Sequence, residues 1–425
     1  LVIKTTSTNI IRWRDNQGIN TLKNGLEKRP KLRFPGFDEP LEHKELLHYL
    51  VENTARNKQL KFGKENVLSV SGEYGIVNQI AFQGRSFAGE SVADYHVVET
   101  DDIVYTKSPL KANPYGIIKV NNGVPGIVST LYAVYHPLKT VVPRFVDFYF
   151  SNNLRINKFL KPLVNIGAKH DMKVNNTFVL TGTVVFPPLR EQQKIVDFLT
   201  VLDRRIDIQR KKVEALKKYK RGVFETVFSQ KVRLIPRNKR KDWQKYKLSD
   251  FATRVTRKNG GQSDIPLTIS AQYGLIDQRD FFSKTVASAD MSGYYLLRSG
   301  EYAYNRSTSN DYPFGSIKRL ELYPMGAIST LYLCFRVKDD IVLSDLAKWY
   351  FESSQWHRGV NEICAEGARN HGLLNVPTDG FFNTVHTLPS DPEEQLAIAS
   401  YLSLFQARLD SAQAVLEKLL RIRMA

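Results

Sequence analysis

The chain contains an internal repeat of about 200 residues. The stretch LSVSGEYGIVNQ begins at Leu68, and the closely similar LTISAQYGLIDQ begins 199 residues later, at Leu267. GIVSTLY from Gly126 is matched by GAISTLY from Gly326, and the offset drifts by only a few residues through the rest of the copy. A repeat of this length is too long for a solenoid unit and is long enough for a domain. We therefore predict a duplicated protein whose two halves share one fold.

Each copy ends in a long stretch with helical periodicity. Apolar residues recur after alternate steps of four and three, which is typical of a coiled-coil seam, and only Gln209 and Lys220 interrupt it in the first copy. The pattern predicts helices over about residues 191–228 and 393–424, and a twofold duplication would pack their equivalent faces together in antiparallel fashion. The residues predicted for this helix-pair interface are Ile195, Leu199, Leu202, Ile206, Val213, Leu216, Ile398, Leu402, Phe405, Leu409, Leu416 and Leu419.

The first part of each copy has a different pattern. Short β-rich runs such as DDIVYTK and TGTVVFPPL alternate with Gly, Pro and Asn turns and with aromatic helical segments, which is typical of a mixed α/β (α+β) domain. We predict two similar globular domains separated by two long antiparallel coiled-coil helices. The predicted boundaries are 1–30 for an N-terminal tail of unknown role, 31–188 for the first globular domain, 189–230 for the first spacer helix, 231–390 for the second globular domain and 391–425 for the second spacer helix.

The charge of the chain indicates its partner. A formal net charge of +18 and a pI near 9.6 make a polyanion, and above all nucleic acid, the first partner to consider. The chain has only two cysteines, Cys334 and Cys364, so we expect neither a disulfide framework nor a cysteine-rich zinc site. No apolar run approaches the roughly 18 residues of a membrane span, and the N-terminal residues lack a secretory pattern. We expect a cytoplasmic protein without a membrane partner.

Several segments resemble a known family. The sequence FPPLREQQKIVDFLTVLDRRIDIQRKKVEALKKYKRGVF from Phe186, together with KLRFPGF, WQKYKLSDF and the duplication, is similar to the DNA specificity subunit of type I restriction-modification enzymes. The most specific piece is the entry into the first helix, Pro187 to Gln193. The second copy, LPSDPEEQLAIASYL, departs from it by inserting Asp391-Pro392 and by placing Leu396 where the second Gln would stand.

The resemblance implies a non-catalytic chain with two variable target recognition domains, each of which reads one half of an asymmetric, bipartite site in double-stranded DNA. It also implies that the spacer helices dock two methyltransferase (modification) subunits and that restriction/translocase subunits join the complex. S-adenosylmethionine, ATP and Mg are then expected in the partner subunits, and this chain needs no cofactor of its own.

The residues agree that catalysis lies elsewhere. Asn113-Pro114-Tyr115 is similar to part of an amino-methyltransferase motif, but it lacks the second proline, and a turn at Gly116 and Gly315 is the better interpretation. The sequence has no GxxxxGK[ST] phosphate loop, and its eight histidines form no HExxH motif. We predict no catalytic residue and no metal ligand.

Candidate DNA contacts come from basic and polar residues in loops. Residues that the two copies share are expected at phosphates. These are Ser71, Tyr74, Gly75, Lys107, Lys119 and Lys169 in the first copy, and Ser270, Tyr273, Gly274, Arg306, Lys318 and Arg369 in the second. Residues that differ are expected at base edges. These are Arg85, Lys111, Asn113 and His170 in the first copy, and Asn305, Asn310, Arg319, Asn370 and His371 in the second.

Alternatives remain open at this stage. The tyrosines could pack in a core rather than contact DNA, and the dense basic run from Arg204 to Arg221 is more typical of a solvated helix face. Two other functions also fit the charge: a non-specific architectural nucleic-acid-binding protein, and a modification enzyme with an unrecognised active site. The first would bind unrelated duplexes equally. The second would transfer methyl groups without partners.

Overall fold

The computed structural model describes residues 33–166, 172–270, 273–281, 287–288, 290–309, 312–364 and 372–424. The chain divides between Asp203 and Arg204 into two compact units, which are called the first and second unit below. Within the described residues no helix is long and apolar enough to cross a membrane.

The first unit is built from short strands and helices that follow the predicted β-rich runs and turns. Its strands are β1 (Glu42–Glu45), β2 (Leu50–Glu52), β3 (Leu68–Ser71), β4 (Gly75–Asn78), β5 (His96–Val98), β6 (Ile103–Thr106), β7 (Ile118–Val120), β8 (Gly126–Val128), β9 (Tyr132–Pro137), β10 (Asn165–Ile166), β11 (Met172–Lys173) and β12 (Thr183–Phe186). Its helices are α1 (Gln79–Gln83), α2 (Pro143–Phe150), α3 (Asn153–Leu160), α4 (Asn176–Val179) and α5 (Leu189–Phe228), the last of which continues into the second unit.

The second unit has an equivalent set of strands and helices. Its strands are β13 (Gln244–Lys247), β14 (Ala252–Arg254), β15 (Pro266–Ser270), β16 (Gly274–Asp277), β17 (Tyr295–Arg298), β18 (Tyr302–Asn305), β19 (Ser316–Arg319), β20 (Met325–Ile328), β21 (Leu333–Val337) and β22 (Val385–Leu388). Its helices are α6 (Leu248–Phe251), α7 (Gln278–Phe281), α8 (Ser344–Glu352), α9 (His357–Ile363), α10 (Thr378–Phe382) and α11 (Pro392–Met424).

The main antiparallel sheets of the two units have the same topology. The antiparallel order β2-β9-β6-β7 in the first unit corresponds to β14-β21-β18-β19 in the second, and the pair β1-β12 corresponds to β13-β22. The second unit has a further mixed sheet, β16-β15-β20-β17, in which β15 and β20 run parallel. In the first unit the equivalent strands form the pairs β3-β4 and β5-β8, which a parallel bridge from Val67 to Ile127 connects. The predicted duplication of a mixed α/β domain is confirmed.

Each unit buries its helices against its antiparallel sheet. In the first unit Phe145 and Phe150 of α2 lie in one core with Tyr105 and Tyr135 of the sheet and with Phe186 of β12. Phe145 and Phe186 meet edge to face, with ring centroids 5.0 Å apart. Aromatic side chains bury a large apolar area, and they account for the aromatic face predicted for this helix.

The second core is richer in aromatic rings. Trp349 and Phe351 of α8 pack with Tyr302 and Phe335 of the sheet, and Tyr302 stacks on Phe335 at 5.2 Å. Phe224, near the end of α5, closes this core against Trp349. The final turns of the long helix are therefore part of the second globular core.

The long helices pair within the second unit as predicted. Val213 of α5 packs with Leu409 and Ala412 of α11, and the partly buried Leu216 and Leu416 extend this cluster. Gln209 donates a hydrogen bond to the backbone oxygen of Ala412, while the ring of Tyr219 lies 5.4 Å from that of Phe405. Contacts therefore descend along α11 as they ascend along α5, so the two helices are antiparallel.

The ends of the predicted seam pack against globular cores. Ile195 lies against the core of the first unit, beside the buried Val196. Ile398 and Leu402 are part of the second core together with Val223. Leu202, Ile206, Phe405 and Leu419 are also buried, and Leu199 is half-buried. One apolar stripe thus serves both a helix pair and two domain cores.

Candidate nucleic-acid interface

The first repeated motif forms a β-hairpin with an exposed tyrosine at its turn. β3 and β4 pair with Ser71 opposite Gly75. The Ser71 hydroxyl accepts hydrogen bonds from the backbone N–H groups of Glu73 and Tyr74, at 3.3 and 3.2 Å, and Gly75 adopts a φ of 73°. A left-handed residue at this position suits glycine, which explains the Tyr-Gly pair. The side chain of Tyr74 is left 60% exposed.

The second copy repeats this geometry. Ser270 pairs with Gly274, which has a φ of 83°, and the hydroxyl of Ser270 accepts from the N–H of Tyr273 at 3.2 Å. Tyr273 is 61% exposed. The serines and glycines therefore shape the two turns, with Ser270 itself buried, and the tyrosines are presented to solvent rather than packed in a core.

The shared basic residues are largely engaged within their own units. The ammonium of Lys107 donates to Asn176 at 3.2 Å, and burial lowers its pKa. Arg306 donates to the backbone oxygen of Leu331 at 2.9 Å. Lys119 pairs with Asp147 at 3.3 Å, and the buried Lys318 pairs with Glu352. A buried cation with a carboxylate partner has little charge left to offer a phosphate.

The described residues that differ between the copies fall into three groups. Arg85 and Lys111 are exposed. Asn113 is buried and donates to Asn153 at 3.0 Å, while Asn305 accepts from the N–H of Ser307 within its turn. Arg319 forms ion pairs with Glu321 and Asp345, both at 2.7 Å. The predicted contacts Lys169, His170, Asn310, Arg369, Asn370 and His371 lie outside the described residues.

The turn at Asn113-Pro114-Tyr115 has a structural role. Gly116 has a φ of 89°, and a Cβ there would lie 2.0 Å from the backbone oxygen of Thr106. The hydroxyl of Tyr105 donates to the backbone oxygen of Tyr115 at 2.7 Å. Gly315 in the second copy has the same constraint, with a φ of 77°. The interpretation of this segment as a glycine turn is confirmed.

The role of the Glu-Gln pair at the start of each long helix was not predicted from the sequence. Glu191 and Gln192 are both buried. Arg33 donates to the Glu191 carboxylate through Nε at 2.9 Å and Nη2 at 2.7 Å. Gln192 accepts from the N–H of Val142 at 3.0 Å and donates to the backbone oxygen of Pro187 at 3.0 Å. The motif therefore attaches the helix to its globular domain.

The second helix has the same attachment. Arg233 pairs with Glu394, which also accepts a hydrogen bond from the indole of Trp243 at 3.1 Å. Gln395 accepts from the N–H of Leu343 at 2.7 Å and donates to Pro389 at 2.8 Å. The sequence did contain a signal for this contact, because KLRFP matches KVRLIP 200 residues later and places an arginine at the start of each domain.

Comparison with known proteins assigns this architecture to a family. Residues 89–218 match the family model described as the type I restriction modification DNA specificity domain. The chain carries a type I restriction-modification DNA specificity domain. This match confirms the resemblance to type I specificity subunits seen in the sequence, and the members of that family are DNA-recognition subunits whose catalytic functions lie in partner subunits. No curated protein matches the chain.

Solved structures extend the fold comparison beyond the specificity domain. The type I restriction-modification S subunit from M. genitalium is 11% identical, and the match covers 93% of this chain and 97% of that one with a TM-score of 0.53. The shared fold therefore spans both units. The HsdS subunit from Thermoanaerobacter tengcongensis is 14% identical over 93% and 96% of the two chains, with a TM-score of 0.48. A chain from a study of complex assembly and conformational transition of the type I R-M system is 15% identical over 93% and 97%, with a TM-score of 0.49.

Proposed function

We propose that this specificity subunit reads an asymmetric bipartite DNA target, with one globular domain for each half-site. The observation that carries the proposal is the repeated topology. The second unit repeats the sheet order of the unit that contains most of the specificity-domain match, yet Gln83-Gly84-Arg85 and Lys111-Ala112-Asn113 lack close counterparts in it. Two domains that share a fold but differ in their surface residues can recognise different DNA sequences.

The length of the spacer helices supports a split site. The 40 residues of α5 correspond to about 60 Å of helix, whereas one turn of duplex DNA is about 34 Å long. We propose target recognition domains at 31–188 and 231–390, separated by spacer helices at 189–230 and 391–425. The half-sites would then flank base pairs that neither domain reads.

The proposed DNA-contacting set follows from exposure. Tyr74, Arg85, Lys111 and Tyr273 are exposed, and they are the strongest candidates among the described residues. Lys318 and Asn113 would need their buried hydrogen bonds broken before they could reach DNA, so they are removed from the set. The candidates outside the described residues remain proposals. Because the proposed partner is DNA, we propose that the protein is located in the cytoplasm.

The helix pair offers a surface for the modification subunits. Leu404, Val415 and Ile422 are partly exposed, and their spacings of 11 and 7 residues place them on one face of α11. Exposed apolar residues in such a row are typical of a protein contact. We propose that two methyltransferase subunits dock on the spacer helices and that restriction/translocase subunits join through them, with S-adenosylmethionine, ATP and Mg bound in those partners.

Co-purification tests this docking surface. Leu404→Asp and Ile422→Asp are expected to lower the yield of the subunit recovered with a tagged methyltransferase partner. Ala414→Asp introduces the same charge at an exposed position about a quarter turn around α11 from this row, and it should leave the yield unchanged. Equal recovery of all three variants would exclude this face as the docking site.

The reading function is tested by mapping methylated bases in DNA from cells that contain this subunit and a compatible modification partner. The proposal predicts one methylated motif in two unequal halves with an unread spacer between them. An assembled complex that methylates no defined motif, and binds unrelated duplexes equally, would instead support the architectural nucleic-acid-binding alternative.

A further inference from the structure

Three aromatic rings lie exposed close to the turn of the first hairpin. Tyr74 is 60% exposed, Phe82 on α1 is 46% exposed, and Phe87 just beyond α1 is 56% exposed. The rings of Tyr74 and Phe82 are 5.3 Å apart. These three residues are called the aromatic face. Phenyl rings left in water at this density are typical of an interaction surface.

The surrounding hydrogen bonds fix the aromatic face in place. Asn78 caps α1 by accepting from the N–H of Ala81 at 3.0 Å, and Gly84 ends the helix in the left-handed region at a φ of 76°. The side chain of Gln79 donates to Ser69 of β3 and accepts from the N–H of Phe87 at 2.6 Å. The rings are therefore positioned by the hairpin and the helix before any partner binds, which lowers the entropic cost of binding.

The charged neighbours favour a base over a phosphate as the partner of these rings. The guanidinium of Arg85 lies over the ring of Phe87, 4.6 Å from its centre, so this pair presents a flat cationic stack. The exposed Glu73 stands next to Tyr74 in the hairpin turn. A carboxylate at the tip opposes the approach of a phosphate, whereas a ring and a guanidinium can stack on or enter between bases.

We propose that the aromatic face is a wedge that unstacks one base step in the half-site read by the first domain. This inference rests on the proposed DNA-reading function and adds a mode of recognition to it. A ring that enters a base step selects sequences that deform easily, so the first domain would gain specificity from the stiffness of the DNA as well as from base contacts.

The test uses the assembled methylation complex and duplexes that contain its mapped target. The fluorescent adenine analogue 2-aminopurine is placed at successive positions of each half-site, because its emission rises when it leaves the base stack. The methylated base itself is left out, since a methyltransferase flips its target base out of the duplex. We expect a several-fold rise at one step of the half-site read by the first domain. Tyr74→Ala and Phe82→Ala should abolish the rise and weaken specific binding by at least about fivefold.

Two further variants separate the wedge from a loss of folding. Phe82→Tyr retains the ring and should retain the rise. Val51→Ala removes exposed apolar atoms from β2 and should behave as the wild type. This residue is a suitable control because β2 and β7 form opposite edges of the sheet, and β4 of the hairpin contacts β7.

The outcomes distinguish this inference from the proposed function. Specific binding by the wild type without a fluorescence rise, or with unchanged affinity in the alanine variants, would overturn the wedge and leave the reading function intact. Alanine variants that bind DNA normally but fail to assemble with the modification subunits would overturn it as well, and would show a protein contact. A wild-type complex with no preference for any sequence would refute the reading function itself.

Discussion

The attachment of the second helix gives the sharpest prediction on stability. Glu394 is completely buried, and its carboxylate accepts hydrogen bonds from the guanidinium of Arg233 and from the indole of Trp243. Glu394→Gln keeps the size of the side chain and removes its charge. The guanidinium of Arg233, which is also largely buried, then loses its carboxylate.

The expected loss follows from the burial of the pair. Removing one partner of a buried ion pair costs about 3–5 kcal/mol, and because the amide oxygen of glutamine can still accept one hydrogen bond we expect about 3 kcal/mol. For a unit of this size that corresponds to a fall in Tm of about 6–12 °C. Glu393 is a matched control one residue away, since it pairs with Lys239 at the exposed surface. Glu393→Gln should change the free energy of unfolding by less than about 1 kcal/mol.

Calorimetry of the purified full-length chain measures both variants. We expect the unfolding transition of the second unit to move to lower temperature in Glu394→Gln and to stay in place in Glu393→Gln. If the two variants lose equal stability, the repeated Glu-Gln entry into the helix would not be a structural attachment. Its recurrence in both copies would then need another explanation, such as a contact with a partner subunit.

Three other changes test separate parts of the structure. Lys220 is half-buried and its ammonium lies over the rings of Phe224 and Trp349, so Lys220→Ala should lower the free energy of unfolding by about 1–3 kcal/mol. Lys218→Ala at the exposed surface should change it by less than about 0.5 kcal/mol, and denaturant titrations measure both variants. Gly315→Ala places a Cβ 2.0 Å from a backbone oxygen at a φ of 77° and should prevent folding of the second unit. The Cβ in Gly293→Ala meets no atom within 4 Å, so limited proteolysis should find that this variant folds. Burial lowers the pKa of His386 to about 4, so the unfolded state takes up a proton at a higher pH than the folded state does. The free energy of unfolding should therefore fall by up to about 3 kcal/mol as the pH drops from 6.5 towards 4, and His386→Asn should flatten this dependence when unfolding is measured against pH.

The sequence predicted most of the architecture because duplication is visible without any structure. Once LSVSGEYGIVNQ and LTISAQYGLIDQ were aligned, two copies of one mixed α/β fold and two antiparallel helices followed from periodicity alone. The pairing of β1 with β12 was not visible, since its strands are separated by more than a hundred residues of sequence. The seam prediction also did not show that Ile398 would join a globular core.

The candidate interface was harder to predict because exposure depends on distant partners. Lys318 looked like a free cation, yet it pairs with Glu352 on a helix 34 residues further along the chain. The tyrosines of the two hairpins could equally have been core residues until the serine-capped turns placed them in solvent. The exposure of Phe82 and Phe87 could not be predicted, because the sequence does not distinguish an exposed phenylalanine from a buried one.

We propose that each globular domain reads its own half-site. Residues 31–188 and 231–390 can be exchanged while both long helices stay in place. The helix attachments should survive because each exchanged domain carries an equivalent arginine at its start, Arg33 or Arg233, that can pair with the glutamate of the helix that follows. The exchanged subunit is expressed with a compatible modification partner, and its methylated motif is mapped beside that of the wild type. We expect the same two half-sites in exchanged order. An unchanged motif, or an unsplit one, from an assembled complex would contradict it.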